Sequence, residues 1–126
     1  MSIDNLEQLR QQVAKFAADR DWEQFHSPKN LSMALIAEVA ELIEHFQWLT
    51  PEQSYQLSPE KRQAVSHELA DIFIYLIRLA DKLNIDLMTA TQEKIKINES
   101  RYPIALVKGN ARRAAEYSDQ ERESTS

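Results

Sequence analysis

The chain has 126 residues, with 15 Lys and Arg against 20 Asp and Glu and a formal net charge of −5. That length supports one core but not a second domain of equal weight, and an acidic balance with no basic stripe argues against a general nucleic-acid binder. No cysteine is present, which excludes a disulfide framework and a thiolate zinc site and fits a reducing compartment.

A single glycine and four prolines, among frequent Ala, Leu, Glu, Gln and Lys, leave few places for tight turns. This composition predicts an all-α chain, a bundle of four main helices with one long central member. The start, Met-Ser-Ile-Asp-Asn, lacks a basic region followed by an apolar run, and no apolar stretch reaches about eighteen residues. The expectation is a soluble, cytoplasmic protein with no membrane and no nucleic-acid partner.

The first helix is expected over residues 3–20, capped by Asp4, with Leu6, Leu9, Val13, Phe16 and Ala17 at helical spacing. A loop with two aromatics and a histidine follows, Trp22-Glu23-Gln24-Phe25-His26, just before Pro28. Trp22 and Phe25 suit either of two roles, pinning the loop on the core or stacking on a nucleobase. The second helix is expected from Asn30 or Leu31 to Trp48, capped by Asn30 or Ser27, with Leu31, Leu35, Leu42, Ile43 and Phe46 as its apolar stripe. With Glu38 set at zero and about 100° per residue, Glu41 falls near −60°, His45 near −20° and Glu44 near −120°. Glu44 is therefore the outlier, read as solvated or as a supporting group, whereas His45 can face the same side as the acids.

Thr50-Pro51-Glu52 and Ser58-Pro59-Glu60 both read as helix starts, each with a hydroxyl cap, a first-turn proline and an early acid. The first opens a short turn or helix, and the second opens the long third helix over residues 59–83. From Leu69 to Ala80 that helix is apolar nearly all round, with Asp71 and Arg78 as its only charged members. Such a helix is expected to be buried, and a buried Asp71 to need a partner. Asn84 ends it and Asp86 caps a fourth helix, which runs toward Pro103, where regular structure should stop. Lys94, Asn98 and Arg101 are spaced by four and three along that helix, so one face carries two cations and an amide, read either as solvated or as phosphate ligands. Residues 109–126 are polar and read as a mobile tail.

The chemistry concentrates in two acidic pairs, Glu38-Val-Ala-Glu41 and Glu68-Leu-Ala-Asp71, with twenty-six residues between them. The i, i+3 spacing puts both acids of a pair on one helical face. Two such helices packed together aim four carboxylates at one point, where their mutual repulsion is relieved by cations, and oxygen ligands without thiolate point to Mg²⁺ or Mn²⁺. Tyr75 falls within about 60° of Glu68 and Asp71 on its wheel and should approach the same place, or else serve as a core tyrosine.

These motifs resemble the MazG-like all-α nucleoside triphosphate pyrophosphohydrolases, and within them the short single-domain dCTP pyrophosphatase branch. The resemblance rests on the paired Glu-x-x-Glu and Glu-x-x-Asp motifs together with Trp22-x-x-Phe25-His26, Phe46-Gln47-Trp48, Lys94, Asn98 and Arg101-Tyr102-Pro103, and it covers most of residues 1–105. It implies a catalytic domain over residues 1–108 and Mg²⁺-dependent hydrolysis of a nucleoside triphosphate to monophosphate and pyrophosphate. Glu38, Glu41, Glu68 and Asp71 would hold the metal, with Glu41 helping to deprotonate the attacking water. Trp22, His26, Trp48 and Tyr75 would border the base and sugar, and Lys94, Asn98, Arg101 and Tyr102 would hold the phosphates. Val13 stands where the related animal enzymes carry a histidine of the base pocket. The resemblance also implies a homo-oligomer, a dimer or a dimer-of-dimers tetramer. A broader pyrophosphohydrolase for dUTP, dTTP or damaged triphosphates, and a non-enzymatic helical interaction module, are the alternatives.

Overall fold

A computed structural model describes residues 5–124. Among them the elements are helical throughout, α1 (Leu6–Asp19), α2 (Pro28–Glu44), α3 (Pro51–Ser54), α4 (Pro59–Lys82), α5 (Leu87–Arg101), α6 (Ile104–Val107) and α7 (Asp119–Glu123), with 3₁₀ turns at Glu23–Phe25 and Ala114–Glu116. The chain divides into two compact units between Ile85 and Asp86.

In the first unit the helix starts follow from short polar caps. The proposed cap Asp4 lies outside the described residues, and Asn5 caps α1 by accepting from the Gln8 N–H at 2.9 Å. Ser27 caps α2 with Pro28 in its first turn, so this helix begins two residues before Asn30 and ends at Glu44, short of Trp48. Thr50 and Gln53 form a reciprocal capping box on α3, and Ser58 caps α4 ahead of Pro59. A lost cap of this kind costs about 1 kcal/mol. Both α1 and α4 end in the same way. The Trp22 N–H reaches the Ala17 carbonyl at 2.9 Å and the Ile85 N–H reaches that of Ala80 at 2.8 Å, while Asp21 (φ 54°) and Asn84 (φ 55°) take the left-handed conformation that makes this reversal.

Helix α4 packs chiefly on α2 and to a lesser extent on α1. Ala17, Leu31, Val65, Ile77 and Ala80 are buried, and Leu31 and Ile77 are the largest side chains fully removed from water. The expectation that α4 is buried all round is corrected here. Leu69, Phe73, Ile74 and Leu76 are exposed on it, and Met33, Ile36 and Ile43 on α2. A helix apolar on most sides needs neighbours on most sides, and α1 and α2 supply them on only part of its circumference. Asp71, on the same face as Glu68, is nonetheless exposed. The buried charge of the apolar run is Arg78, 3% exposed.

In the second unit, Asp86 caps α5 by accepting from the Thr89 N–H at 3.0 Å. Pro103 does not stop regular structure, because it sits at the N-cap of α6. After Gly109 (φ 78°), residues 110–124 hold contacts that their polar composition did not announce. The Tyr102 hydroxyl oxygen accepts from the Ala114 N–H at 3.0 Å, Ala114 and Tyr117 are buried, and the Arg112 guanidinium lies 4.1 Å from the centre of the Tyr117 ring. Arg122 donates to the Arg101 carbonyl at 3.0 Å and also to that of Ala114. Arginine and tyrosine make these contacts, and a reading that counts polar residues assigns them to solvent.

Candidate metal centre

The α2–α4 interface brings the two acidic motifs together. One carboxylate oxygen from each of Glu38, Glu41 and Glu68 lies within 4.8 Å of the others. Glu38 and Glu68 are half-buried and Glu41 is exposed, so the cluster opens to solvent on the Glu41 side. The Oε2 atoms of Glu38 and Glu68 are both removed from water and have no hydrogen-bond partner. Two carboxylates present only acceptors to each other, so a proton or a cation is what relieves the pair. Burial first, then Glu68, Glu41 and Asp71, push the Glu38 carboxyl up to about 7. Buried oxygens without donors, beside a third reachable from solvent, fit a hard divalent cation.

Asp71 is one turn beyond Glu68 on α4, outside the group of three mutually close oxygens but near enough for its charge to act on Glu38. Tyr75, one turn further, is half-buried. His45 closes α2 at its C-cap, and Glu44 is exposed, as its place on the wheel predicts. The predicted aromatic contacts differ among themselves. Trp22 is 43% exposed, with its ring edge-on to Phe16 at 5.7 Å and tilted against His26 at 6.3 Å. Phe25 is more exposed than Trp22 and does not pin the loop, whereas Trp48 is 86% exposed in the turn after α2. Lys94, Asn98 and Arg101 are exposed on α5, and Tyr102 is half-buried with its oxygen engaged by Ala114.

One cluster was missed by sequence reasoning. Arg78 donates to Glu23 Oε1 at 2.7 Å, and its Nη1 lies 3.4 Å from Asp81 Oδ2 and its Nε 3.4 Å from His26 Nδ1. Lys82 also pairs with Glu23, and Arg10 pairs with Asp81 at 2.9 Å. The available signal was a lone cation in an apolar run. Asp81 is one helical turn away, but the other two partners, His26 and Glu23, lie 52 and 55 positions away and share no spacing rule with it.

A helical bundle whose main interface holds orphaned carboxylate oxygens defines an all-α protein with an acidic, cation-ready centre. The model of the MazG-like family matches residues 34–119. The chain is 46% identical over 113 residues to dCTP pyrophosphatase 1 of Homo sapiens, covering 88% of this chain and 66% of that protein. It is 48% identical over 108 residues to dCTP pyrophosphatase 1 of Bos taurus, covering 84% and 64%. It thus spans just under two thirds of the length of these relatives. A solved pyrophosphatase from Archaeoglobus fulgidus DSM 4304 superposes with a TM-score of 0.75 at 34% identity, covering 82% of this chain and 96% of that one. The chain belongs to the MazG-like family.

Proposed function

We propose that this protein is a nucleoside triphosphate pyrophosphohydrolase that converts dCTP, or a modified dCTP, to the monophosphate and pyrophosphate. The observation that carries this reading is the donor-free pair Glu38 Oε2 and Glu68 Oε2 at the meeting of two i, i+3 acidic motifs. The names of the relatives supply the substrate class. Glu38, Glu41, Glu68 and Asp71 would hold Mg²⁺, or Mn²⁺ in its place. The ion would supply Lewis acidity and positive charge against the triphosphate oxygens. Glu41, the exposed member of the cluster, takes the proton from the water that attacks the α-phosphorus. Trp22, 43% exposed, and Trp48 offer flat surfaces for the base, and Tyr75 and His26 complete that side. Lys94, Asn98, Arg101 and Tyr102 are the side chains that would take the phosphates.

In this reading residues 1–108 form the catalytic part and residues 109–126 an appended segment. The open apolar faces of α2 and α4 support assembly with further copies of the chain as a dimer or tetramer. No helix among the described residues is long and apolar enough to cross a membrane, which is consistent with work on a cytoplasmic nucleotide pool.

The test is a panel of deoxy- and ribonucleoside triphosphates, 5-modified pyrimidines included, incubated with Mg²⁺ and scored for pyrophosphate against orthophosphate. Pyrophosphate release, fastest from a dCTP, is expected. A faster rate on dUTP, dTTP or an oxidised triphosphate would move the assignment to a broader sanitising role. No release from any of them would leave a helical interaction module.

A further inference from the structure

Arg78 is the buried charged side chain of the described chain, and a buried guanidinium is costly unless its donors are met. Two of its three partners, Glu23 and His26, open and close off the 3₁₀ turn that follows Trp22. The third, Asp81, is fixed in turn by Arg10 of α1. Stability alone would be served as well by an apolar side chain at this position, since replacing a buried ion pair by hydrophobic groups is often neutral or favourable. What the ion pair adds is geometry, because charge-assisted bonds from a planar guanidinium fix direction as well as distance. Trp22 is anchored at its backbone by the 2.9 Å bond to Ala17, and its ring rests on Phe16 and His26 with 43% of the residue still exposed. Arg78 follows Asp71 by seven residues and Glu68 by ten, about 10 and 15 Å along the same rigid helix. All three lie within about 80° of one another on the helical wheel.

We propose that Arg78 is a positioning residue that, through Glu23 and His26, sets the orientation of Trp22 relative to the acidic residues of α4 and so governs which flat nucleobase the protein accepts. The proposal rests on the pyrophosphohydrolase reading for its substrate, and on the Arg78–Glu23–Trp22 geometry for its mechanism. Holding the aromatic turn and two of the acids to one helix fixes the offset between the base and those acids, and a loose Trp22 would stack on pyrimidines and purines alike. A stacking error of this kind falls on discrimination between bases, because every base has a stackable face.

The experiment compares wild type with Glu23→Gln and Arg78→Met, measuring kcat and KM for dCTP, dTTP and dATP with Mg²⁺. In parallel, acrylamide quenching of Trp22 fluorescence is followed in a Trp48→Phe background. Glu23→Gln changes a partly exposed side chain, and Arg78→Met replaces the buried charge by an apolar group of similar length, so a failure of one variant to fold leaves the other as the test. The expected result is a rise in KM for dCTP of about tenfold, with kcat held within about threefold and a fall of about tenfold in the preference for dCTP over the other bases. Trp22 should become more quenchable. An equal loss on all three substrates, or unchanged quenching in a folded variant, overturns the proposal. If wild type hydrolyses no triphosphate, the pyrophosphohydrolase reading fails, and the quenching alone decides whether Arg78 positions Trp22.

Discussion

Glu38 Oε2 on α2 and Glu68 Oε2 on α4 are both shut off from water with no donor between them. Such an arrangement is costly, and its relief sets how the protein responds to protons and cations. In the metal-free chain the folded-state value of Glu38, about 7, lies above the ordinary 4.5. The folded form therefore binds the proton more tightly than the unfolded one, and the resulting stability is lost as pH rises from about 4.5 through about 7. Glu38→Gln should raise the metal-free Tm at pH 8 by a few degrees, roughly the effect of 1 kcal/mol. It should also abolish the increase in Tm that Mg²⁺ gives the wild type. A scanning calorimetry trace in which Glu38→Gln melts lower than wild type at pH 8 without metal would contradict the repulsion described here.

Asp71 separates folding from function. It is exposed, so Asp71→Asn should change stability by no more than about 0.5 kcal/mol. If Asp71 helps hold the proposed cation, pyrophosphate release from dCTP should nonetheless fall by at least about a hundredfold. Full turnover by Asp71→Asn would remove it from the site.

The Arg78 cluster titrates in the opposite sense to Glu38. Burial, followed by the Arg78 charge, holds His26 below its ordinary 6.5. The Lys82 hydrogen bond, followed by the Arg78 charge, holds Glu23 below its ordinary 4.5. In both cases the unfolded chain binds the proton more readily. The share of stability from His26 is complete above about 6.5 and is lost as pH falls below that value. The Glu23 share is present above about 4.5 and is lost through its lower folded value. Read as differences from wild type, urea titrations of His26→Gln should show a flatter pH dependence between about pH 5 and 6.5. An unchanged slope would mean that His26 is free of Arg78 in solution.

Asn84 carries a backbone cost that only a few residues bear well. At φ 55° a β-branched side chain is strained, so Asn84→Val should destabilise by about 1–2 kcal/mol, whereas Asn84→Gly should be neutral or slightly stabilising. Chemical denaturation of the two variants checks this directly, and equal stability of both would mean that the turn after α4 is rebuilt.

Leu69 and Phe73 stand one turn apart on the open side of α4. If further copies cover that side, Phe73→Glu should reduce the sedimenting species to a single chain and lower the unfolding midpoint. Wild type that sediments as a monomer at micromolar concentration would rule the assembly out.

The fold was legible where local chemistry decides it. Ser58-Pro59 and Asp86 mark helix starts by hydroxyl, carboxylate and proline geometry, and Asn84 marks a stop by its tolerance of positive φ. The acidic pairs were legible because i, i+3 spacing is itself a statement about a face. What escaped depends on contacts between distant positions. The start of α2 at Pro28 needed the choice between two caps that only packing makes. Asp71 was expected inside because the surrounding run is apolar, but its exposure depends on how many neighbours α4 has. Arg78 shared that run and went inside instead, since Glu23, 55 positions away, was there to receive it. The arginine and tyrosine contacts of residues 112–122 are of the same kind, set by partners and not by composition.

The two motifs that form the acidic centre are separated along the chain by a connection that includes the short helix α3 and on which Trp48 and Tyr55 are exposed. Neither acidic pair depends on that connection for its shape, because each is built within one helix. A chain cut after Tyr55 should therefore still assemble from two separately expressed fragments, with α4 templating α1 and α2 across the gap. The centre would then behave as a reporter of reassociation, gaining its affinity for divalent cations only when the halves meet.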